Sequence, residues 1–135
     1  MPWTVEYVAE REMILVTQNG EIFNQDARAQ AKQAIALLHQ TRGDFVLMDF
    51  SEGRLEVSLA NLYWLPDYYS ELDAPPHVRL AVVLPRTRNN LEAFQFYQVA
   101  CRNAGYSVRL FDTREAAEAW HQQYYPRPQL QQHGP

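Results

Sequence analysis

The sequence predicts one α/β domain built on a mostly parallel β-sheet. Two short apolar runs, Phe45–Phe50 and Val78–Leu84, are typical of strands that are covered on both faces, and Met13–Val16 is a further strand. Segments with apolar residues at helical spacing separate the later runs, which is the alternation that parallel sheets require. The 135 residues are the length of a single domain.

Two strands open the chain. Trp3–Val8 alternates in the manner of a half-buried edge strand. The polar link Ala9–Glu12 is too short for a crossover, so Met13–Val16 is expected to pair antiparallel to it. Asn19 and Gly20 then predict a turn, because both residues tolerate positive φ angles.

The first helix is expected to begin at Asn24 as its N-cap, with Asp26 in the first turn. It is expected to end near Gly43, the residue expected to adopt the left-handed conformation. The strand Phe45–Phe50 follows directly. The polar residues Ser51–Arg54 predict a loop at its carboxyl end.

The second helix is predicted to start at Ser58, an N-cap candidate, and to kink or break at Pro66. Ala74–Pro76 should terminate this segment. The strand Val78–Leu84 comes next and is expected to be covered on both faces apart from Arg79.

The remaining segments complete the order β-β-α-β-α-β-α-β-α. A third helix is expected from Leu91, a strand at Ser107–Phe111, and a last helix capped by Asp112 or Thr113. Arg109 indicates that the last strand is an exposed edge. If the strands lie in sequence order, right-handed connections place every helix on the same side of the sheet. The other side would then be covered by the neighbourhood of the first strand, by another chain or by nothing, and this geometry favours association.

Residues 1–124 are predicted to form a single domain, and residues 125–135 have too little apolar content to fold and are expected to be a flexible tail.

The composition of the chain excludes several classes of function. The net charge of −4 argues against nucleic acid as a partner. The longest apolar run, Leu80–Leu84, is too short to span a bilayer, and no secretory leader is visible. A lone Cys101 fits the cytoplasm.

The most unusual feature is an aromatic segment in the second helix. Its side chains cannot all face one core, because helical spacing distributes them around the axis. They either form a broken helix packed over the sheet edge, or an apolar patch for a partner chain or a small hydrophobic ligand. The candidate residues are Leu62, Tyr63, Trp64, Leu65, Tyr68, Tyr69 and Leu72.

Two other polar sites are candidates. Arg86, Arg88, Asn89 and Asn90 follow a strand and precede a helix, where an anion can bind. No glycine-rich phosphate loop accompanies them, so an ordinary solvated loop is the competing interpretation. Ser58 is either a simple helix cap or a regulatory phosphorylation site at a helix N-terminus.

Catalytic and metal-binding patterns are not found in the sequence. The residues His39, His77, His121 and His133 are not spaced as metal ligands, and no Gly-x-Ser-x-Gly motif occurs. Asp49 is either a buried acid or an acceptor of backbone hydrogen bonds. We therefore expect no metal, no cofactor and no enzymatic activity.

Several segments together resemble the SpoIIAA-like group, which is related to the STAS modules of anti-sigma-factor antagonists and more loosely to the CRAL-TRIO lipid-exchange fold. The resemblance covers about residues 3 to 122 and rests on Glu21–Leu38, Phe45–Phe50, Leu62–Pro66, Val78–Val83, Asn103–Phe111 and Glu115–Trp120. It implies a STAS-like fold. In phosphorylatable STAS domains a serine begins the helix after the central strand, and Ser58 lies near that place. The motif Asp-Ser-Ser-Gly is replaced here by Glu56-Val57-Ser58-Leu59-Ala60.

The sequence thus predicts a non-catalytic STAS-like regulatory or protein-interaction module that forms a homodimer. The alternative is a binder of a small apolar or lipid-like ligand beneath residues 62–72. An enzyme is the third interpretation, and it would need a cleft that unites Asp49, Ser58 and a histidine.

Overall fold

In the computed structural model, which describes residues 2–124, five strands and four helices follow one another in the predicted order. The predicted tail, residues 125–135, lies outside the described residues. The strands are β1 Trp3–Val8, β2 Met13–Ile22, β3 Phe45–Leu55, β4 Arg79–Val83 and β5 Ser107–Phe111; the helices are α1 Asn24–Thr41, α2 Leu59–Glu71, α3 Leu91–Asn103 and α4 Arg114–Gln122. A 3-10 turn, Ala9–Arg11, joins β1 to β2.

All five strands of the described chain form one sheet in the order β1-β2-β3-β4-β5. β1 pairs antiparallel with β2, and the other neighbours are parallel. The register aligns Ile14 with Val46, Val46 with Leu80, and Leu80 with Val108. The predicted fold class is confirmed, including the antiparallel edge strand and the exposed edge at Arg109.

β2 and β3 are longer than predicted. The expected turn at Asn19-Gly20 and the expected loop at Ser51–Arg54 are both wrong, because these segments pair with each other past a register shift. Gly20 does adopt a positive φ of 96°, but within the strand. Gly53 lies so close to β2 that an added Cβ would come 2.8 Å from the Cβ of Gln18. Pairing between neighbouring strands outweighs the local turn preference here.

The helix ends differ slightly from the prediction. The N-cap of α1 is Phe23 and not Asn24, and its backbone N–H donates to Asp26 Oδ2 at 2.9 Å. Arg42, not Gly43, takes the left-handed conformation at the end of α1, with φ 56°. An intrahelical carboxylate therefore caps α1 in place of the expected asparagine.

α2 runs without interruption from Leu59 to Glu71, so the helix, which was expected to kink or break at Pro66, does not break there. Pro66 is buried against the core, and this packing offsets its missing backbone donor. The Ser58 cap is confirmed, since its Oγ accepts a hydrogen bond from the backbone N–H of Asn61 at 3.2 Å. Thr113 caps α4 in the same way.

The helices occupy both faces of the sheet, and the expectation that all would share one side is wrong. α1, α2 and α3 cover the face that carries Ile14, Val46 and Leu80. α4 covers the opposite face, where Ala117 and Trp120 pack on a layer that contains Met13, Leu15, Phe45, Leu47, Ala81 and Val83. Right-handedness constrains only connections between two strands, and no strand of the described chain follows α4.

Candidate functional site

The aromatic segment of α2 is divided between the core and the surface. Leu62 and Leu65 are buried, while Tyr68, Tyr69 and Leu72 are partly buried against the same core. The Arg28 guanidinium of α1 lies 3.8 Å from the centre of the Tyr68 ring. These five candidates belong mainly to the packing between α2 and the rest of the domain.

Tyr63 and Trp64 instead face outward, and each is 56% exposed. Their rings meet edge to face, with centres 5.0 Å apart. Leu59, one turn earlier, is 50% exposed. We call these three residues the α2 patch. Leu59 was not among the sequence candidates, although its i, i+4 spacing from Tyr63 places both on the same helical face.

Two partly buried hydroxyl pairs join α2 to α3 and to Tyr106, the residue before β5. The Tyr69 and Tyr97 hydroxyls are 2.8 Å apart, and Ser70 Oγ lies 2.9 Å from the Tyr106 hydroxyl. Burial raises the pKa of Tyr69 and of Tyr97 well above the ordinary range. Burial also raises the pKa of the Cys101 thiol to about 12, so this cysteine is an unreactive core residue.

A cavity of about 70 Å³ lies between the sheet and the helices α1, α2 and α3. Leu62, Leu65 and Tyr69 of α2 contribute to its almost wholly apolar wall, opposite Val46 and Leu80 of the sheet. Ligand sites for drug-sized molecules usually measure roughly 300–1,000 Å³. The cavity therefore accommodates a molecule of only a few heavy atoms.

The loop after β4 carries the predicted anion-binding residues. Arg86 pairs with Glu52 at 2.7 Å, and Arg88 pairs with Asp112. The Asn90 side chain donates to the carbonyl oxygen of Leu55 at 2.8 Å, and Asn89 donates to Thr87 Oγ1 at 2.6 Å. Both guanidinium groups already face carboxylates, so an anion would have to displace these ion pairs.

The residues of the enzymatic interpretation do not meet. Asp49 lies in β3, where its Oδ1 accepts a hydrogen bond from the backbone N–H of Ser51 at 2.9 Å. Ser58 caps α2, and among residues 2–124 it makes no hydrogen bond to Asp49 or to a histidine. In the same range no group of three or more His, Cys, Asp or Glu side chains could hold a metal ion.

The sheet face under α4 contains a buried polar cluster that the sequence analysis missed. Arg79 was expected to interrupt the strand's cover, yet it is buried. Its Nη2 lies 3.2 Å from His121 Nδ1 and 3.5 Å from Asp44 Oδ1, and its guanidinium lies 4.9 Å from the centre of the Phe45 ring. The strand register, which places Arg79 on the same face as Phe45 and Ala81, is the signal that could have indicated it.

Comparison with known structures identifies the architecture. The anti-sigma-factor antagonist SpoIIAA in its unphosphorylated form superimposes with a TM-score of 0.52 at 18% identity, over 90% of this chain and 98% of that chain. The chain has a SpoIIAA-like fold. An uncharacterised DUF3478-family protein from Shewanella loihica PV-4, itself described as SpoIIAA-like in fold, gives a TM-score of 0.56 at 16% identity, over 87% of this chain and 90% of that chain.

No protein-family model and no curated protein matches the sequence. At these identities the SpoIIAA-like structures establish the fold of the chain and leave its function to be argued from its own residues. Among the described helices, none is both long and apolar enough to cross a membrane.

Proposed function

We propose that this SpoIIAA-like domain is a non-catalytic regulatory module that acts through protein contacts, with a second copy of itself as the expected partner. The α2 patch carries the proposal. Leu59, Tyr63 and Trp64 lie next to one another on one helix and are each at least half exposed. Contiguous exposed apolar residues of this kind are typical of interaction surfaces, and Tyr and Trp are enriched where binding energy concentrates.

The location of the α2 patch supports the same proposal. α2 begins where β3 ends, so the patch lies at the carboxyl ends of the parallel strands. Open α/β sheets commonly place their binding groups at this edge. The structural similarity to an anti-sigma-factor antagonist fits a regulatory protein of this type.

Ser58 is the proposed regulatory position of the α2 patch. It is exposed and immediately precedes Leu59, and its hydroxyl already lies at the N-terminus of α2. A phosphate there would be favoured by the helix dipole and would add negative charge beside the apolar contact.

The proposed location of the module is the cytoplasm, because Cys101, the only cysteine of the chain, has no internal disulfide partner.

Sedimentation velocity over a wide range of protein concentration tests the self-association. We expect a concentration-dependent dimer for the wild type and at least a tenfold weaker dimer for Trp64→Ser, because losing a central aromatic commonly costs about 2 kcal/mol or more. Ser58→Asp, which adds a charge beside the patch, should also weaken the dimer.

Val99→Ser is the matched control, since Val99 is an apolar side chain of α3 that is 55% exposed and lies outside the patch. It should dimerise as the wild type does. A wild type that stays monomeric at the highest concentration would reject self-association, and an equal effect of Val99→Ser and Trp64→Ser would reject the patch.

A second candidate function is binding of a small apolar molecule in the cavity under Leu62, Leu65 and Tyr69. The cavity is the observation that favours it, and its volume of about 70 Å³ means that a lipid-like ligand would require α2 to move. Xenon is a suitable probe because it needs no polar partner. We expect xenon to shift the NMR methyl signals of Leu62 and Leu65, and Ala34→Leu, which adds volume to the lining, to reduce those shifts. Unchanged methyl signals in the wild type would exclude an accessible cavity.

A further inference from the structure

A second cavity lies at the opposite edge of the sheet, where β4 and β5 begin. Its volume is about 440 Å³, within the range of small-molecule sites. The loop before β4, the turn from α3 into β5, and α4 form its walls. The residues that matter chemically are His77, Arg102, Tyr106, Arg109, Trp120 and Tyr124, and no aspartate or glutamate of the described chain lines it.

The two arginines of this pocket form no ion pair with a carboxylate of the described chain. Within residues 2–124, neither Arg102 nor Arg109 has a carboxylate oxygen within 4.0 Å. By contrast, carboxylates pair with the following arginines: Arg11, Arg54, Arg79, Arg86, Arg88 and Arg114. In a chain of net charge −4, an acid-free pocket with two such guanidinium groups is locally cationic.

Neither arginine is occupied by a helix cap or an ion pair within the described residues. The Arg109 guanidinium lies 5.4 Å from the ring centres of both Phe111 and Trp120, so aromatic faces hold it beside the pocket wall. Arg102 lies in the last turn of α3, but the terminal carbonyls there already accept backbone N–H groups from Ala104, Gly105 and Tyr106. Neither side chain is needed to complete a helix cap or an ion pair.

We propose that this pocket binds a small organic oxyanion, a carboxylate or phosphate monoester attached to a flat apolar group. Guanidinium groups present parallel N–H donors that match carboxylate and phosphate oxygens. His77 adds a ring nitrogen, and the rings of Tyr106, Trp120 and Tyr124 provide apolar wall for the attached group. The site lies at the amino ends of β4 and β5, so it is separate from the α2 patch and does not depend on the proposed function.

Phenyl phosphate, inorganic phosphate and benzyl alcohol are the three probes, because they present the ring with the anion, the anion alone and the ring alone. Titrations followed by backbone amide NMR should show the largest shifts at Ser107, Val108 and Arg109 with phenyl phosphate. Inorganic phosphate should bind at least tenfold more weakly, and benzyl alcohol should not saturate. If inorganic phosphate binds as tightly as phenyl phosphate, the ring component of the proposal is wrong.

Arg109→Gln and Arg102→Gln should each weaken phenyl phosphate binding by tenfold or more, since each removes a charge-assisted hydrogen bond. Both side chains are exposed, so the variants should fold, and their amide spectra report this directly. Arg42→Gln is the matched control: it removes an exposed arginine that also lacks a carboxylate partner within the described chain and that lies outside the pocket. Equal weakening by Arg42→Gln, or no saturable shift around β5 up to millimolar phenyl phosphate, would overturn the site.

Discussion

His121 shows how one buried residue ties α4 to the sheet. It is 2% exposed, and its ring stacks on Phe45 with the centres 4.0 Å apart. Arg79 can only donate, so Nδ1 accepts the hydrogen bond from Arg79 Nη2 at 3.2 Å. Nε2 then carries the proton and donates to the Arg11 carbonyl oxygen at 2.9 Å. The neutral imidazole satisfies both contacts, whereas a second proton would face Arg79.

The pKa of His121 is accordingly lowered, first by burial and then by the charge of Arg79; the Arg11 and Glu12 backbone and Asp44 oppose this shift only in part. A lowered folded-state pKa means that the unfolded chain binds the proton more readily. The contribution of His121 to the free energy of unfolding is therefore fully present above the pKa of the unfolded state, near 6.5. It is lost as the pH falls from there towards the folded-state pKa.

Urea unfolding at about pH 7.5 and about pH 5.5 measures this effect. The wild type should lose more stability between the two pH values than His121→Gln, because glutamine keeps a donor and an acceptor but does not titrate. His39→Gln, at an exposed position of α1, should behave as the wild type does. The same loss of stability in wild type and His121→Gln would contradict the assignment.

Residue patterns identified some of these side chains and not others. The apolar runs predicted Phe45, Leu47 and Val82 as core residues, because a strand that is covered on both faces carries apolar side chains on both of them. The burial of Arg79 was not predicted, because it depends on α4, a helix more than 30 residues away in the sequence.

At the scale of elements, α2 depends on its first turn. Ser58 Oγ satisfies the Asn61 amide, and the first turn of α2 contains no acidic residue to assist it. Ser58→Ala should therefore lower the free energy of unfolding by about 1 kcal/mol. Ser58→Asp should cost little, because aspartate caps helices well and its charge suits the dipole. Equilibrium urea unfolding of both variants gives the comparison.

Thr113→Ala is the parallel case in α4, where Thr113 Oγ1 accepts from the Ala116 amide at 3.1 Å. It should cost a similar amount. The cap interpretation of Ser58 fails if Ser58→Ala is neutral while Thr113→Ala is destabilising, or if Ser58→Asp costs as much as Ser58→Ala.

Element boundaries show where local sequence preference stops deciding structure. Capping residues were predicted well at Ser58 and Thr113, since a side-chain oxygen next to a helix start acts locally. The predicted turn at Asn19-Gly20 and a helix break at Pro66 do not occur. Pairing with β3 holds Asn19-Gly20 in an extended strand. Burial of the Pro66 ring keeps this residue within a continuous helix. Both outcomes depend on neighbours distant in sequence.

At the scale of the molecule, strand order and direction followed from the alternation of apolar runs with helical segments. Five of the seven candidate residues in the aromatic segment belong to the packing of the domain, and only the solvent-facing Tyr63 and Trp64, joined by Leu59, remain as surface. Periodicity alone could not separate the two groups, because Pro66 made the predicted helix phase uncertain. The acid-free pocket was invisible in the sequence, since His77, Arg102 and Arg109 come from three separate elements.

The placement of α4 also has a consequence for how the chain is made. Ribosomes release α1, α2 and α3 before α4, so a nascent chain can bury one side of its sheet while Leu15, Phe45 and Leu47 still lack their cover on the other. Nascent polypeptides with such bare strands adhere to one another and to chaperones. The strands are covered once α4 has emerged and Ala117 and Trp120 pack on them.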